Sequence, residues 1–349
     1  MSHRVCAHHG VLESCLHGAC IGGFGTRFWN RSFFLGLGEA GSFPAAIKTT
    51  AEWFPQRERS LATGIFNSGA NIGAILAPAL IPWITLKFGW RAAFLATGIF
   101  GAIWIFWWLT HYHSPKDHRH VSPTELRHIE EDPAEQLEQI PWNRLLVYKQ
   151  TWAYAVAKFL TDPIWYFYLY WLPKFFDERY HLGLVRIGLP LIVVYNFSAI
   201  GSIGGGWLST ALNKAGMSMA QARLSAMLVF ACLVLPIFLA SRVSSVWSAV
   251  GILCLATAAH QGWSANLFTI PSDLFPRSSV GTVVGIGGMA GSVGAVLFSM
   301  SAGWVLQLTG SYTPLFVVAA SAYLVGLFSL HIIAPGLRRV DVAVSAGAN

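Results

Sequence analysis

The sequence predicts an all-α integral membrane protein, on the basis of its composition, its long apolar segments and an internal repeat. Of its 349 residues, 54% are hydrophobic and only 11% are charged, whereas a soluble domain has about 25% charged residues. Several apolar segments reach the length of about 20 residues that a helix needs to cross a bilayer. Helices are the expected spanning form, because a helix satisfies its own backbone hydrogen bonds within lipid.

The net charge of +7 does not indicate a nucleic-acid-binding protein, because the basic residues form no run or stripe. We interpret the excess as a determinant of topology, since Lys and Arg are enriched in cytoplasmic loops. With the loop 113–150 placed in the cytoplasm, Lys and Arg near the helix ends number twelve on that side and six on the other. This distribution predicts a cytoplasmic C-terminus.

The apolar segments predict nine transmembrane helices, with ends that are uncertain by several residues. These helices cover about 31–53, 60–86, 90–112, 151–176, 186–212, 218–240, 245–272, 280–308 and 312–334. The one long polar loop contains Ser122-Pro123-Thr124-Glu125, which has the pattern of a capping box. This pattern predicts a short surface helix that ends before Pro133.

Two parts of the chain are related by a repeat with an offset of 221 residues. Glu52-Trp53-Phe54-Pro55 aligns with Asp273-Leu274-Phe275-Pro276, and Gly64-Ile65 aligns with Gly285-Ile286, without a gap. Parallel repeats occur in transporters that have two similar six-helix halves with the substrate site between them. The repeat therefore predicts a transporter. A membrane enzyme is disfavoured, because the sequence has no nucleophile triad, metal cluster or Walker-type motif.

The register of this repeat predicts the domain organisation. Residues 151–335 form a complete C-terminal half, 31–112 are three helices of an N-terminal half, 113–150 are a cytoplasmic linker, and 336–349 are a cytoplasmic tail. On this register about seventy residues are missing ahead of the chain. We therefore expect a truncated product in which residues 1–30 are an unrelated leader. The alternative, a zinc site in this leader, is disfavoured because its Cys and His spacing fits no common structural site.

The first predicted helix carries a carboxylate, Glu39, within an apolar run that also contains Gly36, Gly38 and Gly41. A charge near the middle of a membrane helix costs about 2.5–3.5 kcal/mol on insertion scales and usually faces an interior cavity. Glu39 is therefore expected to be a functional residue.

A second pair of charges, Lys158 and Asp162, stands four residues apart near the start of the fourth predicted helix. This spacing places both side chains on one face. We favour a structural ion pair that neutralises itself inside the bundle. Pro163, directly after Asp162, indicates the alternative of a locally opened helix, which would suit a ligand site.

Polar and aromatic residues within the apolar segments are the candidates for substrate binding. Asn67 and Asn71 lie four residues apart, and their amides either bind the hydroxyls of a sugar-like ligand or bond to a neighbouring helix. The helix that repeats the Glu39 helix carries several more polar groups, and an aromatic cluster precedes them. These additional candidates are His260, Gln261, Ser264, Asn266, Trp165 and Tyr166.

Several segments resemble those of the major facilitator superfamily. Gly205-Gly206-Trp207-Leu208-Ser209, followed by Gly216-x-Ser218 and Ala222-Arg223, resembles the superfamily's cytoplasmic loop signature in the form of the anion:cation symporter group. The segments FFLGLGEAGSFPAAIKTTAEWFP, GIFNSGANIGAILAP and AAHQGWSANLFTIPSDLFP are most similar to bacterial hexuronate transporters. The resemblance covers about residues 32–335.

This resemblance implies a major facilitator fold that lacks about three N-terminal helices. It also implies proton-coupled symport of glucuronate or galacturonate across the bacterial inner membrane by alternating access. The expected partners are a sugar-acid anion, a proton and membrane lipid, with no cofactor or metal, and the protein is expected to be a monomer.

Residue by residue, Glu39 matches the family's fourth-helix carboxylate, and the resemblance implies that it couples transport to a proton, taken up outside and released inside. Asn67 and Asn71 match the fifth-helix polar motif, and 260–266 matches the tenth helix. The family's first three helices have no counterpart in this sequence. An inactive truncated fragment therefore remains one alternative. A transporter of another organic anion, such as an aldonate, glucarate or an aromatic acid, is the other.

Overall fold

The computed structural model describes residues 42–116, 118–119, 121–129, 131, 140–182 and 186–340, and this part of the chain is helical with short connections. The helices are α1 (Ser42–Trp53), α2 (Arg59–Phe88), α3 (Trp90–His111), α4 (Pro123–Ile129), α5 (Trp142–Leu145), α6 (Lys149–Tyr180), α7 (Gly188–Lys214), α8 (Met219–Val234), α9 (Val246–Leu274), α10 (Arg277–Thr309) and α11 (Thr313–Ile333). Two 3-10 helices, Leu235–Leu239 and Pro335–Leu337, follow α8 and α11. The contacts discussed below lie within the compact unit Ala46–Asn349.

Each of the nine segments predicted to be helical contains a helix, although some ends differ. Helix α6 extends over Lys149–Tyr180 instead of 151–176, and α10 begins at Arg277 instead of 280. In the described part of the chain, five helices are long and apolar enough to cross a bilayer: α3, α7, α8 with its 3-10 extension, α10 and α11. The nine membrane crossings remain a prediction, because they include segments beyond these five helices. The predicted leader 1–30 lies outside the described residues.

The 221-residue repeat is visible in the positions of the helix ends. Helices α1 and α9 end at Trp53 and Leu274, and α2 and α10 end at Phe88 and Thr309, so both pairs are separated by the repeat offset. The following residues, Gly89 and Gly310, have φ angles of 84° and 60°. Glycine adopts this left-handed region without the steric cost that a β-carbon brings. A glycine with positive φ therefore follows the helix end at the same position of both repeats, although the chain then continues differently, since α3 begins at Trp90 and α11 at Thr313.

Side-chain caps begin two of the helices. The Ser122 hydroxyl accepts a hydrogen bond of 3.1 Å from the Glu125 N–H, as the predicted capping box requires at the start of α4. At the start of α8, the Ser218 hydroxyl and the Gln221 side chain each accept a bond from the other residue's backbone N–H. These bonds satisfy N–H groups that have no partner within the first helical turn.

Small residues set the close packing of α9 against α7. A β-carbon on Gly201 would overlap the backbone of Ala258, and one on Gly205 would overlap the backbone of Gly262. Glycine has the same function in the contact between α7 and α2, where Gly206 packs against the backbone of Ser60. Membrane helices associate through small residues because these let two backbones approach closely. Helices α2, α7 and α9 therefore form one tightly packed group.

We expect Gly205→Ala to destabilise the protein, because the added methyl group meets the α9 backbone, which cannot move independently. Overpacking of this kind costs about 1–3 kcal/mol. The measurement is the thermal unfolding midpoint of the purified protein in detergent. Gly204→Ala is the matched control, since a β-carbon there has open space. Equal midpoints for the two variants would contradict the packing described here.

Candidate functional site

Buried polar side chains from α2, α7 and α9 bond to one another inside the bundle. The Asn67 amide Nδ2 lies 2.8 Å from Gln261 Oε1 and 3.1 Å from Ser202 Oγ, and donates to both. The Ser202 hydroxyl in turn donates to the Gly64 carbonyl at 2.9 Å. A buried amide without such partners would be costly in an apolar environment. Two predicted substrate residues, Asn67 and Gln261, are thus brought into direct contact.

A histidine surrounded by aromatic rings lies on another side of α9. His260 Nδ1 is 2.7 Å from the Tyr323 hydroxyl, and the Trp165 ring stacks on the imidazole with centroids 5.3 Å apart and planes 7° apart. The Tyr168 ring meets the imidazole edge-on at 6.1 Å. The structure therefore brings the predicted residues His260 and Trp165 together. Tyr323 was not predicted, although a tyrosine within the apolar α11 segment is a signal that could have identified it.

The remaining candidates on α9 lie in different surroundings. Ser264 is buried, one turn after His260. The Asn266 amide donates to the carbonyls of Gly205 and Gly262, both at 2.9 Å, and its oxygen accepts a bond from the Ser60 hydroxyl at 3.2 Å. Asn266 thereby ties α9 to α7 and α2. A substrate-binding role for Ser264 or Asn266 remains a prediction.

Two candidates fall outside the part of the molecule that the structure describes. Glu39 lies outside the described residues, as does the side chain of Asn71. A third candidate, Tyr166 of α6, is half-buried and stacks on Tyr170 with ring centroids 6.1 Å apart.

Lys158 and Asp162 form an ion pair inside the bundle. Lys158 Nζ lies 2.5 Å from Asp162 Oδ2, and the exposed fractions of the two side chains are 4% and 19%. The ammonium group also lies 3.8 Å from the centre of the Phe268 ring on α9, a cation–π distance. The predicted pairing is therefore present.

The alternative prediction, that Pro163 locally opens α6, is wrong, because the helix continues through this residue. Proline removes one N–H donor, the partner of the carbonyl four residues earlier. That carbonyl belongs to Phe159 and lies where a β-carbon on Gly294 of α10 would be. Close packing of α10 thus supports the helix where one backbone bond is lost.

A second ionic cluster joins the ends of α8 and α9 to the start of α2. Arg223 contacts Asp273 through two bonds, Nε to Oδ2 at 2.5 Å and Nη2 to Oδ1 at 3.3 Å. Arg223 Nη1 donates to Ser209 Oγ at 3.1 Å, and Ser209 donates to Ser60 Oγ at 2.7 Å. The nearby Arg59 donates to the Ser272 carbonyl.

Arg223 and Asp273 are both buried, so the attraction between them offsets the loss of hydration of each charge. Arg223 lies in the loop signature and Asp273 in the repeat, but their pairing was not predicted. The signal in the sequence was the acidic first residue of Asp273-Leu274-Phe275-Pro276, which needs a basic partner once it is buried.

Long helices with apolar faces, a parallel repeat and polar side chains enclosed between helices define a helical membrane transporter. Residues 31–299 match the Major Facilitator Superfamily, and the chain belongs to that family. The predicted family and its all-helical fold are thereby confirmed. The members of this family are transporters, so the chain is a transporter and not an enzyme.

Several characterised proteins are similar to this chain. A hexuronate transporter of Escherichia coli (strain K12) is 30% identical over 315 residues, which are 88% of this chain and 73% of that protein. A galacturonate transporter of Dickeya chrysanthemi is 34% identical over 185 residues, 52% of this chain and 54% of that protein.

Among solved structures, the human organic anion transporter MFSD10 has a TM-score of 0.57 at 17% identity, and the match covers 82% of this chain and 67% of that one. The proton:xylose symporter XylE has a TM-score of 0.59 at 15% identity, over 81% of this chain and 65% of that one. At this level of identity both structures support the fold alone.

We expect Lys158→Ala and Asp162→Ala each to destabilise the protein, because each leaves one buried charge without a partner. Breaking a buried pair in this way costs about 3–5 kcal/mol, whereas removal of both charges is much milder. The measurement is the thermal unfolding midpoint of the two single variants and of the double variant in detergent. If the double variant loses the sum of the two single effects, the charges are not coupled.

Proposed function

We propose that this chain transports a hexuronate, glucuronate or galacturonate, together with a proton across the bacterial inner membrane by alternating access. The observation that carries the proposal is the 30% identity over 315 residues with the Escherichia coli hexuronate transporter. A galactarate or glucarate is the second candidate substrate. It is favoured by 26% identity over 320 residues with a probable galactarate/D-glucarate transporter of Bacillus subtilis, 88% of this chain and 70% of that protein.

The polar groups inside the bundle suit a polyhydroxylated anion. The Asn67 and Gln261 amides are already removed from water and bonded to each other, so a sugar hydroxyl can replace one amide partner and keep both groups hydrogen-bonded. Such an exchange avoids the cost of an unsatisfied buried donor, about 1–3 kcal/mol. Trp165 offers a flat aromatic face for the C–H side of a sugar ring.

The other candidates complete the proposed site. Tyr166, His260 and Ser264 supply further hydrogen-bonding groups along α6 and α9, and Asn71 adds an amide on α2. Asn266 supplies an amide nearer the α2–α7 contact. Glu39 is the proposed proton carrier.

We place the ionic cluster of Arg223 and Asp273 at the cytoplasmic end of the bundle, since the loop 113–150 is proposed to be cytoplasmic. In the proposed organisation α2 belongs to the N-terminal half, whereas α7, α8 and α9 belong to the complete C-terminal half. The bond between Ser60 of α2 and Ser209 of α7 then joins the two halves. We propose that this contact closes the cytoplasmic side and separates when the site opens inward.

We expect cells that express the chain to accumulate labelled glucuronate or galacturonate when a proton gradient is present, and to lose accumulation when an uncoupler dissipates it. Uptake is normalised to the amount of protein in the membrane. Glu39→Gln should abolish accumulation but retain exchange of labelled for unlabelled substrate, because a neutral amide cannot carry the proton. Normal accumulation by Glu39→Gln would contradict its role.

Glucarate is measured in parallel with the two hexuronates. Uptake of glucarate alone would replace the proposed substrate by the second candidate. Absence of uptake of all three anions by correctly inserted protein would contradict the proposed function altogether.

A further inference from the structure

The ion pair of α6 is surrounded by features that a purely structural pair does not need. We propose that Lys158 binds the carboxylate of the transported anion, and that Asp162 occupies the same position on the ammonium group when no anion is bound. The inference rests on the proposed function, since it takes the ligand to be a sugar acid.

The two partners are unequally enclosed. The Lys158 ammonium is held between the Asp162 carboxylate and the face of the Phe268 ring, and its side chain is only 4% exposed, whereas that of Asp162 is 19% exposed. When the pair separates, Asp162 is therefore the partner that has room to move. Lys158 stays in place and requires another anion, because an unpaired buried charge is strongly unfavourable.

A buried hydroxyl without a partner lies one helical turn before the lysine. Tyr154 precedes Lys158 by four residues, so the two share a face of α6 with Asp162. The Tyr154 side chain is fully enclosed, and within the described part of the chain its hydroxyl has no hydrogen-bond partner. Buried hydroxyls are nearly always bonded, so the Tyr154 hydroxyl is available to bond a hydroxyl of the proposed substrate.

Helix α10 leaves space for these groups through two glycines. A β-carbon on Gly287 would overlap the Tyr154 ring, and one on Gly291 would overlap the Asp162 carboxylate. The space beside α6 is thus occupied by a carboxylate and a phenol ring that bears a hydroxyl, and a sugar acid likewise carries a carboxylate and hydroxyls. Exchange of one carboxylate for another keeps the charge balance at Lys158 unchanged.

The position of the lysine also fits the ring cluster described above. Trp165 follows Asp162 by three residues, so the two side chains are neighbours on one face of α6, and the Trp165 ring stacks on His260. A carboxylate bound at Lys158 therefore lies close to the aromatic face proposed to hold the sugar ring. Because a buried ion pair adds little net stability compared with apolar residues, stabilisation alone does not account for this arrangement.

The test measures binding of glucuronate, galacturonate and glucarate to the purified full chain by calorimetry. The double variant Lys158→Gln/Asp162→Asn removes both charges and keeps the side-chain sizes. We expect it to retain its unfolding midpoint and to bind the preferred anion at least about tenfold more weakly, because a charge-assisted bond is lost. The matched control is Lys174→Gln/Glu178→Gln, which removes an exposed pair with the same spacing on the same helix and should leave affinity unchanged.

The methyl ester of glucuronate separates carboxylate recognition from general damage to the site. The ester should bind weakly to the native protein, and the double variant should bind it equally weakly. If the double variant does not fold, Lys158→Met/Asp162→Leu replaces it, because apolar residues of similar volume often preserve the stability of a buried pair, and it should bind the acid at least about tenfold more weakly.

Native affinity for the acid in the folded double variant would overturn the inference and leave the proposed function intact. Native affinity in the folded Lys158→Met/Asp162→Leu variant would do the same. Binding of glucarate alone by the native protein would change the proposed substrate and still test Lys158. If the native protein binds none of the three anions, both proposals are overturned.

Discussion

The buried amides of Asn67 and Asn266 have hydrogen-bonding partners on neighbouring helices, and these bonds constrain how α2, α7 and α9 pack. An unsatisfied polar group within hydrocarbon costs several kcal/mol. Asn67 of α2 reaches Ser202 and Gln261, while Asn266 of α9 reaches Gly205 and Ser60. These bonds form only because glycines on α7 let the backbones approach closely. The same arrangement of helices therefore provides close backbone packing and hydrogen-bond partners for the buried amides.

The same requirement links the structure to transport. A side chain that is bonded to another helix in one state can exchange that bond for a ligand, or for a different neighbour, at little net cost. Asn67 with Gln261 and Lys158 with Asp162 are such pairs, one neutral and one charged. In each pair the desolvation cost has been met on folding, so a substrate that supplies equivalent groups competes on nearly equal terms.

The helices and their ends were predictable because hydropathy and the repeat both report on backbone position. Trp53 and Leu274 end their helices at the same register of the repeat, and a proline follows two residues after each. The family was predictable for a related reason, since its motifs lie at these ends. Pro163 was misjudged because proline removes a single backbone bond, which does not open a helix packed on several sides.

The partners of the site residues were not predictable to the same degree. Helical periodicity correctly separates the faces of His260 and Gln261, but it does not identify the helix that each face meets. Contact of His260 with Tyr323 depends on the rotation of α11, and contact of Asn67 with Gln261 depends on the rotation of α2. Those rotations follow from packing between segments that are far apart in sequence.

A reversible disulfide tests most directly whether the contact between α2 and α7 opens during transport. The hydroxyl oxygens of Ser60 and Ser209 are 2.7 Å apart, so cysteines at these two positions can form a disulfide. Ser60→Cys and Ser209→Cys would be combined in a chain whose five native cysteines are replaced by serine. Oxidation should stop hexuronate uptake and reduction should restore it, with each single cysteine variant as a control. Undiminished uptake by fully cross-linked protein would contradict an opening between these helices.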